Sequence, residues 1–504
     1  MHVLAQLAAD FDTPHVDYHA LAPEVVLTGA IVVLLIADLL FDERTKWATS
    51  SIAGVGLLAA AVPVLTLAVD GVDRFMFGGG YAVDNFALLL KALFLLSGYI
   101  VVLMSTHYVE EGDYYEGEYY FLLLTSVLGM MMMSSSRDLI SMFVALEFLA
   151  IPTFMLAAWR KRDLRSNEAG MKYFLLGVFA SAVMLYGMSL IYGVTGSTLF
   201  SEIASGLSGP DSDPIVTLGI VFVVVGFAFK VSAVPFHAWA PDTYEGAPTP
   251  ITAFLSVASK AAGFVALLQL LFGAFQFRSD VWQPLFWVLA ALSMTVGNVI
   301  ALRQTNIVRM LAYSSVAQGG FILMPLAVIG ESDDASKSAL TAVVGYLIIY
   351  AIMNLGAFAV VLAVARKTRS GEISSYGGLF TYAPGLTLAM TMFLFALAGI
   401  PPLGGWVAKF VVFRALLDAG GGWAVALAVV GGVNSVISLY YYANVAREMW
   451  FRPVPDGDVT PIRIPSALGV ALGLTAVAVL VVGIVPSTVL DVVDKVDPAV
   501  LASP

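Results

Sequence analysis

Long apolar runs separated by short polar breaks fill this chain from about residue 24 to residue 486. A hydrocarbon core about 30 Å thick needs roughly 20 apolar residues in a helix to cross it. Runs near that length recur fourteen times, at 24–41, 48–69, 84–107, 119–133, 138–158, 168–192, 215–240, 248–274, 281–302, 306–328, 338–365, 384–416, 422–446 and 464–486. The fourth is short and rich in methionine (Met130 to Met133), which reads as lipid- or helix-facing packing. Proline interrupts the seventh at Pro235 and the twelfth at Pro401 and Pro402. The pattern predicts an all-α, polytopic membrane protein, with residues 1–504 forming a single integral membrane domain.

The polar breaks carry an orientation. With the amino terminus outside, fourteen cations, among them Arg44, Arg160, Arg309, Arg366 and Arg447, fall at cytoplasmic ends of spans. Six, among them Arg74, Arg137 and Arg278, fall on the outer side. That is the asymmetry of positive-inside topology and predicts both termini outside. Lys91 and Lys172 lie within two turns of a span end and read as snorkelling side chains.

Composition agrees. The chain is 59% hydrophobic and only 12% charged, against about 25% charged in a soluble domain. It has no cysteine, so it offers no thiolate for zinc or an iron–sulfur cluster. Its five histidines form no HExxH signature. The net charge of −11 argues against a nucleic-acid partner. The first twenty residues contain acids but no Lys or Arg, unlike a cleavable signal peptide.

Residues 137–147 and 305–315 start the fifth and tenth spans alike, with Arg-Asp-Leu-Ile-Ser-Met-Phe-Val-Ala-Leu-Glu matched by Thr-Asn-Ile-Val-Arg-Met-Leu-Ala-Tyr-Ser-Ser. Two spans later in each half comes a proline break. The fifth span runs inward and the tenth outward on this topology. The expectation is two inverted five-helix repeats, spans 4–8 (residues 119–274) and spans 9–13 (residues 281–446), a common transporter plan.

Four ionisable residues lie deep in apolar spans: Glu147, Lys230, Lys260 and Lys409. Each costs on the order of 2.5–3.5 kcal/mol to insert at a helix centre. Four together suggest a path for protons or ions. Glu147 is expected to pair with Lys230, and opening that pair would favour release of the lysine's proton. The alternative is a static ion pair, which stabilises less than apolar packing does. Pro235 should free a backbone carbonyl near Val231 for water or an ammonium. His237, just past the break, is either a proton relay or a hydrogen bonder between helices. Lys260 sits among small residues as a central relay, and Lys409 reads as the second half's counterpart of Lys230. Asp242 and Glu245 are either solvated loop acids or a cytoplasmic uptake point.

The run from Lys230 to Pro250, with Pro-Phe-His-Ala-Trp-Ala-Pro-Asp-Thr-Tyr-Glu-Gly-Ala-Pro-Thr-Pro, resembles the proton-conducting antiporter-like subunits of respiratory complex I. The resemblance covers nearly the whole chain. Tyr-Glu-Gly-Ala-Pro-Thr-Pro and a lysine at 409 are similar to the subunit N branch of that family, in bacterial NADH–quinone oxidoreductase. It implies proton translocation through Glu147, Lys230, Lys260 and Lys409, with His237 on a family histidine. It also implies that NADH, FMN, iron–sulfur clusters and quinone belong to partner subunits. The partners implied are other membrane-arm subunits and the lipid bilayer, in a bacterial cell (plasma) membrane. A multisubunit Na+/H+ antiporter or membrane-bound hydrogenase shares the fold and the lysines and stands as the alternative. Further rivals are a stand-alone solute carrier and a scaffold in which the charges only lock helices together.

Overall fold

The computed structural model describes residues 16–40, 47–112, 116–209 and 213–502. The helices follow the apolar runs: α1 Ala22–Leu40, α2 Trp47–Asp70, α3 Asn85–Glu111, α4 Glu116–Ser135, α5 Leu139–Ala157 and α6 Leu164–Thr195. The seventh is broken into α7a Pro214–Lys230 and α7b Trp239–Gly246. Then come α8 Thr249–Ala274, α9 Ser279–Ala301, α10 Ile307–Leu323 and α11 Asp333–Thr368. The twelfth is broken into α12a Pro384–Ala398 and α12b Gly404–Ala419, and α13 Gly421–Phe451 and α14 Ser466–Ile484 complete the bundle. Among the described residues eleven helices are long and apolar enough to cross a membrane unbroken. α4 and the two broken helices occupy the remaining expected runs. A small hairpin of β1 Arg74–Met76 and β2 Tyr81–Val83 joins α2 to α3, with Phe75 opposite Ala82.

Burial sorts the helices. α8 is wholly enclosed by its neighbours, and α10 and α11 nearly so. α1, α6 and α13 leave broad apolar faces outward, as expected of helices against lipid or another apolar subunit. The methionine run packs inward: Met130, Met131 and Met133 are fully buried. Lys91 does not snorkel. It is completely buried and pairs with Glu24 of α1 at 2.8 Å, which supplies its counter-charge inside the bundle. Lys172 reaches the surface but is held by Asp242 at 2.7 Å and Glu168 at 2.8 Å.

Several local structures recur between the two halves. Asp138 caps α5 by accepting from Ile140 and Ser141, and Asn306 caps α10 by accepting from Val308 and Arg309. Such side-chain oxygens satisfy amides that have no partner within the helix. The same two residues bridge to Leu199 and Glu372 in the loops after α6 and α11. Both loops begin with a threonine, Thr195 or Thr368, whose hydroxyl turns back onto the last helical turn. Gly129 on α4 lets α5 approach so closely that a Cβ would stand 2.7 Å from the Leu149 amide. Gly297 on α9 does the same for α10, at 2.8 Å from the Ala317 amide.

The two breaks also share one cap. Ala233 donates to the Ala228 carbonyl across Ser232, which has φ 59°. Ile400 donates to the Phe395 carbonyl across Gly399, which has φ 90°. A six-to-one bond over a left-handed residue is the Schellman arrangement that ends helices. Ser232 adopts a conformation that glycine takes without penalty. This register sets Lys230 against Leu397 and Asp242 against Lys409. Lys409 is therefore not the positional counterpart of Lys230, because it lies beyond its break rather than before it.

Glycine makes the second break compact. A Cβ on Gly405 would overlap the Ala396 carbonyl, whereas one on Gly432 of α13 would meet nothing within 4 Å. Gly405→Ala is expected to cost about 1–3 kcal/mol through overpacking and to lower accumulation in the membrane. Gly432→Ala should accumulate as the parent does. Quantitative blotting of membranes checks both.

Candidate functional site

The first cation of the site stands where α7a ends. The break leaves backbone groups without helical partners, and neighbouring helices supply them, as burial at membrane depth requires. Trp239 of α7b donates its indole N–H to the Phe229 carbonyl at 3.0 Å. The Val234 amide donates to Ser293 Oγ of α9 at 2.9 Å. Trp239 also stacks on Tyr173 of α6, with ring centroids 4.5 Å apart. Lys230 Nζ donates to that tyrosine's hydroxyl at 3.3 Å and is buried.

Glu147 is not the partner of Lys230. Its Oε1 accepts from Ser181 Oγ of α6 at 2.7 Å, and no ion pair joins the two among the described residues. Glu147 is half-buried rather than enclosed. The exposed apolar residues Val144, Phe148 and Ile151 flank it on α5. The reason is the helical register, which turns position 147 towards α6 and the outside of the chain. A small cavity lined by Ser181, Gly177, Gly226 and Lys230 separates the acid's partner from the ammonium.

Lys260 is the most enclosed of the four. It follows a π-helical turn, Leu255–Ser259, a departure that recurs at functional sites. Its ammonium donates to the Ser315 carbonyl at 2.7 Å and to the Ser315 hydroxyl at 2.6 Å. Ser315 stands in α10 at the register position that Glu147 holds in α5. One turn before the lysine, Ser256 Oγ accepts from Asn354 of α11 at 2.7 Å.

Lys409 reaches back across its own break. Its Nζ donates to the Ala398 carbonyl, the end of α12a, at 2.8 Å and lies 4.6 Å from the centroid of the Phe321 ring. The freed carbonyl and the aromatic face both favour a cation. Gln318 lies one turn before Phe321 and donates to the Leu397 carbonyl at 2.9 Å. Its own carbonyl accepts from Tyr346 of α11. Ser314 bonds to Tyr442 of α13. Ser314, Ser315, Gln318 and Phe321 thus form one face of α10 that runs from Lys260 to Lys409.

The other sequence-derived candidates separate. His237 is half-buried, its ring edge-on to Tyr313 at 6.3 Å, and its Nδ1 has no hydrogen-bond partner. It bonds to none of the lysines among the described contacts. Asp242 and Glu245 are not free loop acids. Arg309 of α10 reaches each of them at 2.9 Å, tying α7b to the bundle. The sequence reading missed Tyr173, Ser181, Ser315 and Gln318. Ser315 was accessible, since it falls opposite Glu147 when residues 137–147 are laid on 305–315. The others are uncharged and carry no signal above the helical background.

This arrangement is matched among known proteins. A sequence profile described as NADH:quinone oxidoreductase/Mrp antiporter, TM, fits residues 136–438. The chain belongs to that family. NADH-quinone oxidoreductase subunit N of Trichlorobacter lovleyi is 40% identical over 479 residues, covering 94% of this chain and 96% of the relative. NAD(P)H-quinone oxidoreductase subunit 2 of Acaryochloris marina is 39% identical, covering 94% and 91%. A chain of respiratory complex I from Thermus thermophilus with bound aureothin superposes with a TM-score of 0.76 at 31% identity, covering 93% of this chain and 98% of that one. A chain of the Mrp complex from a Dietzia species shares the fold, with a TM-score of 0.83 at 23% identity over 97% of each. The family profile spans both breaks, Glu147 and the three buried lysines Lys230, Lys260 and Lys409.

Ser315→Ala removes one of the two acceptors of Lys260 and keeps the other. A hydrogen bond to a charged group is worth about 1.5–3 kcal/mol. Proton pumping should fall several-fold in Ser315→Ala and be lost in Lys260→Met. Acidification measured in inverted membrane vesicles checks this ranking.

Proposed function

We propose that this chain is the proton-translocating membrane-arm subunit N of a bacterial NADH–quinone oxidoreductase. What supports this reading is three buried ammonium groups, Lys230 and Lys409 at the two helix breaks and Lys260 after a π-helical turn, with a polar face of α10 from Lys260 to Lys409. NADH oxidation and quinone reduction take place in partner subunits, which hold the FMN, the iron–sulfur clusters and the quinone site. This chain takes part as a translocase with no redox chemistry of its own. It sits in the plasma membrane among other membrane-arm subunits, with both termini outside.

The proposed path starts at Glu147 and Lys230. In this conformation the two are apart, so Lys230 stands without a carboxylate counter-charge among the described ion pairs. The proton passes through water to Lys260 and then along the α10 face to Lys409. Lysine suits each station because burial can bring its proton affinity within reach of neutral pH, unlike arginine. Asp242, Glu245, Arg309 and Lys172 hold α7b in place, so that the break keeps its shape while charge moves. The recurring caps, loops and glycines support the inverted-repeat reading of residues 119–274 and 281–446. In it the second half keeps the architecture but places its lysine beyond the break.

The 40% identity to a subunit N relative, against 23% to the Mrp chain, favours this reading over a separate Na+/H+ antiporter. Lys230→Met and Lys409→Met are expected to assemble with their partners yet lower pumping and coupled NADH–quinone turnover by tenfold or more. Co-purification together with proton-to-electron stoichiometry tests this. Normal stoichiometry in both variants would remove the lysines from the path.

A further inference from the structure

A second buried acid–lysine pair lies away from this path. Glu24, in the first turn of α1, meets Lys91 of α3 at 2.8 Å. Lys91 is completely buried, and its Nζ also lies 3.3 Å from the Tyr81 hydroxyl on β2. Close by, Asp84 and Arg137 form another buried pair at 2.6 Å. The two pairs differ chemically. Arginine keeps its proton in proteins, so Asp84–Arg137 is a permanent ionic tie. A buried lysine can release its proton, and a buried carboxylate can bind one.

The Glu24–Lys91 pair also has polar neighbours on both sides. Towards the core, a bridge from Tyr81 to Ser136 joins β2 to the end of α4. There the Ser134 carbonyl accepts from Gln269 Nε2 of α8 at 2.6 Å. Gln269 is on the same helix as Lys260, about 13 Å further along at 1.5 Å per residue. Gln269 Oε1 and both Glu24 oxygens are buried without a well-aligned hydrogen bond, and ordered water commonly satisfies such atoms. Towards solvent, the turn before α1 holds a partly exposed charged cluster. Arg74 bonds to Asp17 at 2.6 Å, and His19 lies 3.5 Å from Asp70.

We propose that Glu24 and Lys91 form a proton-binding site near the Gln269 end of α8, between the core and this charged cluster. The assignment rests on the proton-translocating reading above. A proton arriving from the α8 side binds the Glu24 carboxylate. Lys91, its counter-charge neutralised, releases its proton towards the Asp17–Asp70 cluster. The Glu24 proton then crosses the short contact to Lys91, which restores the starting pair with one proton in and one out.

Lys91→Arg separates this role from a structural one. Arginine preserves the ion pair but releases no proton. The whole complex is purified, its subunits counted, and proton-to-electron stoichiometry measured in proteoliposomes, with Glu24→Gln and Lys230→Met alongside. The expected result is an assembled Lys91→Arg complex with pumping lowered at least threefold, and the same loss in Glu24→Gln. Parental stoichiometry in Lys91→Arg overturns the proposal and leaves the pair as a helix tie. If Lys91→Arg fails to assemble, Glu24→Gln decides by the same criterion. If Lys230→Met also pumps normally, the underlying reading fails as well; if Lys230→Met alone loses pumping, only this site is overturned.

Discussion

An ammonium in an apolar interior has to be solvated by the protein. Taking such an ion out of water carries a penalty of several kcal/mol even after relaxation, and the bundle is arranged around meeting it. Helices normally spend their carbonyls on themselves, so a straight helix has little to offer a buried cation. Interrupting α12 frees the Ala398 carbonyl for Lys409. At the α7 break a tyrosine hydroxyl receives Lys230. A π-helical turn precedes Lys260, which finds a carbonyl and a hydroxyl on a different helix. Irregular backbone, costly elsewhere at membrane depth, stands where cations are.

The same demand accounts for what surrounds the breaks. Freed amides and carbonyls are taken up by Ser293 and Trp239. The arginine and lysine that anchor α7b through Asp242 and Glu245 fix the half-helix from outside the path. Bonds of this kind leave few of the freed backbone groups without a partner. By contrast Glu147 has a single serine partner and a half-open position. Such a carboxylate responds to whatever charge is placed beside it, which suits the start of a charge-driven path.

Much of the fold was legible because apolar length and proline position report directly on membrane helices. Each expected run has its helix, and both breaks fall where proline placed them. The buried lysines were legible for the same reason, since a charge in such a run stands out. Pairing was not legible. Glu147 was expected to pair with Lys230, the next of the deep charges, but helix rotation turns it towards Ser181. Lys91 was read from its distance to a span end, while the Glu24 carboxylate reaching it from α1 decides its fate. Lys409 was matched to Lys230 by its nearness to a break, and only the backbone caps reveal the different register. Tyr173, Ser315 and Gln318 matter through their positions alone.

The central claim is that Lys260 exchanges protons in the course of turnover. Lys260→Arg keeps the positive charge and the donors to Ser315 but holds its proton. The proton-to-electron ratio of the reconstituted complex carrying this substitution is the most direct measurement. The account predicts a ratio well below that of the parent in a fully assembled complex. An unchanged ratio would contradict it and leave the buried lysines as structural charges.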